Sequence, residues 1–267
     1  PPRSTLFLYT TLFRSLAEVG RSAAYIEADK LDSAAIALQK AMALEPANEN
    51  NPVLLFNLGI IQRQLGWKED AYFSFTASLT NNPIPDLVLH KRASLLVDMD
   101  RLDEAKEDYD TLIRLFPQNT EAYYRRGLLF LEKNDRTSAE ADFKASEAID
   151  PNDLYTKLSK ALLFKLDDRW EEAEKIYSVL IQSTKEIDPI FYINRAECYV
   201  NTDQISKASA DLMAAAESQK KNPYFYFLRG RIRLKQFDKV AAREDFLKAK
   251  ALGYDPQILQ EWLKRTE

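Results

Sequence analysis

Glycine is scarce in this 267-residue chain, at 6 residues. So low a count disfavours sheets built on tight glycine hairpins. Neither G-x-G-x-x-G nor G-x-x-x-x-G-K-[ST] occurs, which removes the usual phosphate-cradling loops. There is one cysteine, Cys198, so no internal disulfide can form and the redox compartment stays open. There is one histidine, His90; with Cys198 far along the chain, no zinc site of the usual His/Cys ligand type is expected. A lone imidazole could act as a general base, yet no nucleophile with an orienting acid accompanies it. Catalysis is therefore not expected, and neither is a cofactor or metal. No run of 18 apolar residues exists, so no helix is long and apolar enough to cross a membrane. Lys and Arg number 37 against 41 acidic residues, a net charge of -4, and they are dispersed. Nucleic acid, which needs clustered positive charge, is not an expected partner. The acidic pairs Asp167-Asp168 and Glu171-Glu172 do not follow a calcium-loop spacing and suit a turn and a helix start.

What is present is repetition. Residues 86–119 and 120–153 superpose at a spacing of 34: Ala93 falls on Gly127, Ala105 on Ala139, Tyr109 on Phe143 and Pro117 on Pro151. A fixed period with small and aromatic residues at fixed offsets signals a repeat array. The same phase extends to residues 15–48, 52–85, 154–187, 189–222 and 223–256, with Lys185 where the fifth repeat should carry proline. Pro83, Pro117 and Pro151 keep the spacing of 34, and so do Pro189 and Pro223, at positions where helices begin or end. In residues 86–119, Leu89, Ala93 and Leu96 stripe one helix and Leu102, Ala105, Tyr109 and Leu112 a second. The connecting turn is short, so the two run antiparallel. No repeat alone buries both faces, so neighbours must stack and the ends need covering.

Residues 1–14 stand apart. They carry no acidic residue, and Ser4-Thr5-Leu6-Phe7 is nearly echoed by Thr10-Thr11-Leu12-Phe13. Two readings stay open there: a frayed first helix, or foreign, adapter-like sequence that is artefactual or disordered. The first residue is Pro1, and cytoplasmic and exported locations both stay open.

A small residue at position eight, an aromatic at eleven, Ala at twenty, an aromatic at twenty-four, Ala at twenty-seven and Pro at thirty-two resemble the tetratricopeptide repeat. The resemblance covers residues 15–256. It implies an all-α, right-handed superhelical solenoid of about seven helix-turn-helix repeats, with residues 257–267 as a C-terminal capping helix. It also implies a concave groove lined by the first helices. By family geometry that groove would present Phe56, Asn57, Ile60 and Arg63, then His90 and Lys91, then Tyr124, Arg125 and Leu128. Further along it would present Tyr155 and Lys165, Asn194 and Glu197, then Tyr224, Phe227 and Arg231. Such a lining suits an extended peptide or a protein segment; alternatively, many of these rings pack between neighbouring repeats. Some members of the family grip a chaperone-tail carboxylate with a Lys/Asn/Asn/Lys/Arg constellation. Its Lys at five followed by Asn at nine occurs in no repeat here, so that clamp is not expected.

Four repeats pair Arg at position seven with Asp at twenty-three: Arg92 with Asp108, Arg126 with Asp142, Arg195 with Asp211, Arg229 with Asp245. Where the arginine is replaced or the pairing fails, the aspartate is missing: Leu58 with Ser74, Lys160 with Ile176, Arg21 with Ala37. This joint occurrence predicts a structural ion pair between the two helices of a repeat; arginines reading an acidic ligand are the alternative. Three functional readings follow. The chain is a non-catalytic scaffold binding through its groove, an assembly subunit docking through its convex face or ends, or a regulatory module of a longer enzyme.

Overall fold

The computed structural model of the chain describes residues 3–80, 82–183 and 186–267, with side chains from residue 11 onward. Pro1, Pro2, Asn81, Thr184 and Lys185 lie outside the described residues. Among those described there are fifteen α-helices and no strand. They pair in order as α1 (Arg3–Glu27) with α2 (Leu31–Leu44), α3 (Asn51–Gln64) with α4 (Lys68–Ser78), and α5 (Pro85–Asp98) with α6 (Leu102–Leu115). Then come α7 (Thr120–Glu132) with α8 (Arg136–Ile149), α9 (Leu154–Leu166) with α10 (Trp170–Ser183), α11 (Pro189–Asn201) with α12 (Ile205–Ala215), and α13 (Pro223–Lys235) with α14 (Lys239–Ala251). A final helix, α15 (Pro256–Lys264), follows. The chain forms two compact units, Pro1–Ala145 and Ser146–Glu267, each a stack of such hairpins. The N-terminal segment is helical from Arg3, and α1 passes without a break through the start of the first repeat at residue 15.

Every hairpin turns in the same way. The second turn residue sits in the left-handed region at Asp29, Gly66, Asp100, Asn134, Asp168, Asp203 and Phe237. The next backbone N–H then reaches back five residues, as Arg101 N donates to Leu96 O at 2.9 Å and Asp135 N to Phe130 O at 2.8 Å. This six-to-one closure satisfies a carbonyl at the end of the first helix and reverses the chain within three residues. Asp, Asn and Gly tolerate that conformation best, and all but one of these positions carry one of them. The prolines fall into two groups: Pro85, Pro189, Pro223 and Pro256 open helices, where their missing N–H costs nothing, whereas Pro83, Pro117 and Pro151 lie between hairpins. Side chains of Asn119, Asp153, Asp188, Asn222 and Asp255 cap the helices that follow them.

Within a hairpin the closest approach is between the small residue of the first helix and the large residue of the second. Where the small residue is Gly the partner is Phe: Gly59 with Phe75, Gly127 with Phe143, Gly230 with Phe246. Ala93, Ala161 and Ala196, all fully buried, instead stand opposite Tyr109, Tyr177 and Leu212. A Cβ built on Gly127 would lie 2.2 Å from the Phe143 ring, which is itself buried. The ring thus occupies the space that alanine's methyl would need.

Charge pairs close the hairpins from the side. Arg126 Nε donates to Asp142 Oδ2 at 2.9 Å and Nη2 to Oδ1 at 2.6 Å, a bidentate fork. Arg92 with Asp108 and Arg195 with Asp211 repeat it. Arg229 Nε and Nη2 likewise reach Asp245. The remaining guanidinium nitrogen of the first three reaches the second helix of the preceding hairpin: Arg92 Nη1 donates to Thr76, Arg126 Nη1 to Asp110, Arg195 Nη1 to Ser178. One side chain therefore fastens a hairpin shut and ties it to its neighbour. Repeats lacking the pair use other contacts. Ser74 Oγ donates to Gln62 at 2.7 Å, Arg21 Nη1 to Glu18 at 2.7 Å, and Lys160 Nζ to Glu147 at 3.0 Å.

Three substitutions test this account. Asp142 is 7% exposed and Arg126 19%, so Asp142→Ala leaves a largely buried cation with Asp110 as its remaining carboxylate; urea denaturation is expected to register a loss of about 2–3 kcal/mol. Glu140→Ala, which breaks the exposed Arg136–Glu140 pair, is expected to cost about 0–1 kcal/mol. Gly127→Ala reverses the usual sign. In an open helix this change stabilises by about 1 kcal/mol, whereas here it is expected to cost about 1–3 kcal/mol through overpacking. Adding Phe143→Leu should recover part of that loss, a coupling readable from a double-mutant cycle.

Candidate functional site

The side chains expected to line a groove do lie on the first helices, but many of them hold neighbouring helices together. In the first unit, Phe56 is buried with its ring 5.9 Å from that of Phe75, and Ile60 packs on the same cluster. Arg63 crosses from α3 to α5, donating to Ser94 Oγ at 3.0 Å and Asp98 Oδ2 at 2.5 Å. Lys68 adds a bond to the Asp98 carbonyl at 2.6 Å. Arg125 Nε donates to Glu121 within its own helix at 2.6 Å. Tyr124 rests 6.3 Å from the Phe143 ring, and burial raises its phenol pKa. Asn57 is exposed, while Lys91 and Leu128 are half-buried.

His90 is the most unusual member of this face. Asn119 Oδ1 accepts from Ala122 N to cap α7, which leaves Asn119 Nδ2 to donate to His90 Nε2 at 3.0 Å. The imidazole proton then belongs on Nδ1, a buried atom with no hydrogen-bond partner. Burial, opposed by the nearby Glu121 carboxylate and reinforced by Arg125, depresses its pKa below 6.5. The ring stands edge-on to Tyr109 at 6.1 Å.

The second unit has the same grammar with different residues. Tyr155 is half-buried. Lys165 on α9 forms an ion pair with Glu197 on α11 and donates to Asn194 Oδ1 at 3.1 Å. Arg231 on α13 donates to Asn201 Oδ1 at 2.9 Å, and Lys235 to Asp203 at 2.8 Å. Tyr224 is half-buried, and burial followed by the Glu197 carboxylate pushes its pKa well above the phenol range. Phe227 is buried, stacked on Tyr254 at 4.5 Å and edge-on to Trp262 at 5.7 Å. So the rings of Phe56, Phe227 and Tyr224 serve packing, and the cations Arg63, Lys165 and Arg231 bridge adjacent first helices. These bridges, at offsets of 29 to 35 residues, are the contacts that sequence reasoning missed. The four Arg–Asp pairs are seated between the helices of their hairpins, away from solvent on the aspartate side.

In the first unit His90 Nδ1, and in the second Arg231 Nε, are buried donors with no protein hydrogen-bond acceptor, while the buried Glu197 Oε2 is ion-paired with Lys165. The Cys198 thiol, buried beside them, is pushed up to about 12 by burial and stays protonated. Among the described residues no group of three or more His, Cys, Asp or Glu side chains could hold a metal.

Comparison with known proteins comes next. A family model described as Tetratricopeptide repeat matches residues 90–153. The chain is 33% identical to a tetratricopeptide repeat protein from Parabacteroides merdae ATCC 43184, whose crystal structure matches it with a TM-score of 0.72 over 95% of this chain and 98% of that one. The Cut9–Hcn1 hetero-tetramer of the APC/C shares the fold at 16% identity, with a TM-score of 0.70 over 99% of this chain and 56% of that one. Among curated proteins, the DnaJ homolog subfamily C member 7 homolog of Dictyostelium discoideum is 25% identical over 92% of this chain and 50% of its own length. DnaJ homolog subfamily C member 3 of Rattus norvegicus is 26% identical over 61% and 35%. The chain thus spans half or less of the length of these two curated relatives.

As the chain's single histidine, His90 gives an isolated signal. Its folded pKa lies below the unfolded value near 6.5, so stability is unaffected above that value. It falls as pH drops below 6.5 and levels off once the folded imidazole also protonates. The lone imidazole resonance is expected to titrate with a midpoint under 6.5. Between about pH 7.5 and 5 the native chain should lose more stability than His90→Gln; parallel slopes would remove the imidazole from the account.

Proposed function

The chain belongs to the tetratricopeptide repeat family, and from that premise we propose a scaffold that holds an extended segment of a partner protein along its first-helix face. Stacked repeats of this kind present long continuous surfaces suited to protein interaction. The observation that carries the proposal is that, in the first unit, Asn57 is exposed and Lys91, Tyr124 and Leu128 are half-buried on the first helices, where a partner can still touch them. A peptide backbone offers both N–H and C=O groups along its length and can meet donors and acceptors alike. The rigid bridging by Arg63, Lys165 and Arg231 supports the same reading, since a face already in its bound arrangement loses less freedom on association.

A second reading rests on the opposite face. Ile36 on α2 and Phe73 on α4 are 63% and 64% exposed in the first unit, and Met213 on α12 and Val240 on α14 are 79% and 74% exposed in the second. Apolar residues on the outer sides of second helices favour docking into a larger assembly. A peptide-library pull-down separates the two. Tyr124→Ala combined with Arg125→Ala should abolish the captured sequences if the first-helix face binds. Undiminished capture by that variant, with loss in Ile36→Ser combined with Phe73→Ser, would move the interaction to the outer face.

A further inference from the structure

We propose that the cavity between the α13–α14 turn and α15 docks an acidic peptide segment, one large apolar side chain flanked by Asp or Glu. The cavity shares Arg231 with the first-helix face, whereas Phe237, Lys239, Trp262 and Arg265 lie outside it.

The first observation is a conformational outlier. At the left-handed turn position the other hairpins carry Asp29, Gly66, Asp100, Asn134, Asp168 and Asp203, while the last carries Phe237 at φ 63°. A bulky residue gains nothing in that backbone conformation, and strain of this kind collects at functional positions. Its own chain does not compensate, because Phe237 is 92% exposed. An aromatic ring held out in water on a rigid turn is an anchor for something outside the chain.

The second observation is what lies beside it. Phe237 lines a cavity of ≈ 310 Å³ with Leu234, Trp262, Arg231, Lys239 and Arg265. The Arg265 guanidinium lies 4.3 Å from the Trp262 ring centre and that of Arg231 5.2 Å from it. Arg231 Nε is buried and unmatched. Lys235 at the edge is held by Asp203, but Lys239 and Arg265 have no carboxylate partner among the described residues, and no carboxylate lines the cavity. In a chain of net charge -4 this is a local excess of positive charge around an apolar floor. The volume sits at the small end of ligand pockets and suits one large side chain. The flanking carboxylates would then meet Lys239 and Arg265. Two unpaired cations are too few to track a nucleic-acid backbone, whereas they match the charges beside a single apolar residue.

The test is fluorescence anisotropy on the full chain with amide-capped, labelled hexapeptides. The probe is Glu-Asp-Leu-Phe-Glu-Asp; the controls are Gln-Asn-Leu-Phe-Gln-Asn and Glu-Asp-Ser-Ser-Glu-Asp. The probe should bind at least about tenfold more tightly than either control, and more weakly as salt is raised. Phe237→Asn places a residue suited to the turn, so its Tm should hold or rise while the affinity drops about tenfold. Arg265→Glu should weaken binding further. Lys248→Glu, the same charge change on the exposed side of α14, should leave the affinity as it was. Equal binding of the three peptides, undiminished affinity in Phe237→Asn, equal losses in Lys248→Glu and Arg265→Glu, or tighter binding of oligothymidylate than of the probe would each overturn the proposal.

Discussion

The distance between the two helices of a hairpin is set where a small residue meets a large one, and the rest of the stack follows from it. Gly127 admits the Phe143 ring so closely that a single methyl would not fit, and Gly59 and Gly230 do the same for Phe75 and Phe246. Where alanine takes the small position, the opposing residue is Tyr109, Tyr177 or Leu212. Size is therefore exchanged within the pair, and the interior stays filled from repeat to repeat. Only at that spacing can an arginine on the first helix present both arms of its fork to an aspartate on the second. Only with that fork fixed does its third nitrogen reach Thr76, Asp110 or Ser178 on the hairpin before.

These contacts divide by the way they are written in the chain. Small-to-large pairs and Arg–Asp pairs both join residues 16 apart within one repeat, so they recur in step and their joint presence or absence can be read from one sequence. The left-handed turn is equally local, and Asp29, Asp100, Asn134, Asp168 and Asp203 announce it. Bridges between neighbouring first helices were not legible in the same manner. Arg63 to Asp98, Lys165 to Glu197 and Arg231 to Asn201 use different partners at different offsets. The aromatic positions left two readings open, groove lining or packing between repeats, for a related reason. Phe56 and Phe227 sit on the face that would meet a ligand, yet the neighbouring helix buries them, a fact that depends on stacking and not on helix periodicity.

That division has a consequence for recognition. Where cations are bridged to a neighbouring helix, as Arg63, Lys165 and Arg231 are, less charge is left free to attract a partner, and any selectivity there would rest on shape. Arg63 and Lys165 are fixed by two protein contacts each, and their side chains bring rigidity more than charge. Lys239 and Arg265, beside the last turn, have no carboxylate partner among the described residues.

Phe237 makes the argument sharpest because the repeat supplies its own control. The same backbone turn occurs in the other hairpins, with the same back-reaching hydrogen bond: Gln204 N to Tyr199 O at 2.8 Å, Asp238 N to Arg233 O at 2.9 Å. The turn therefore does not require phenylalanine, and six examples show what it prefers. A residue that fits the local conformation poorly, contributes almost no burial and stands beside unpaired cations has no structural reason to be there. In a chain built from near-copies, a departure that weakens the fold locally and repays it nowhere inside the chain points outward, to a contact made with another molecule.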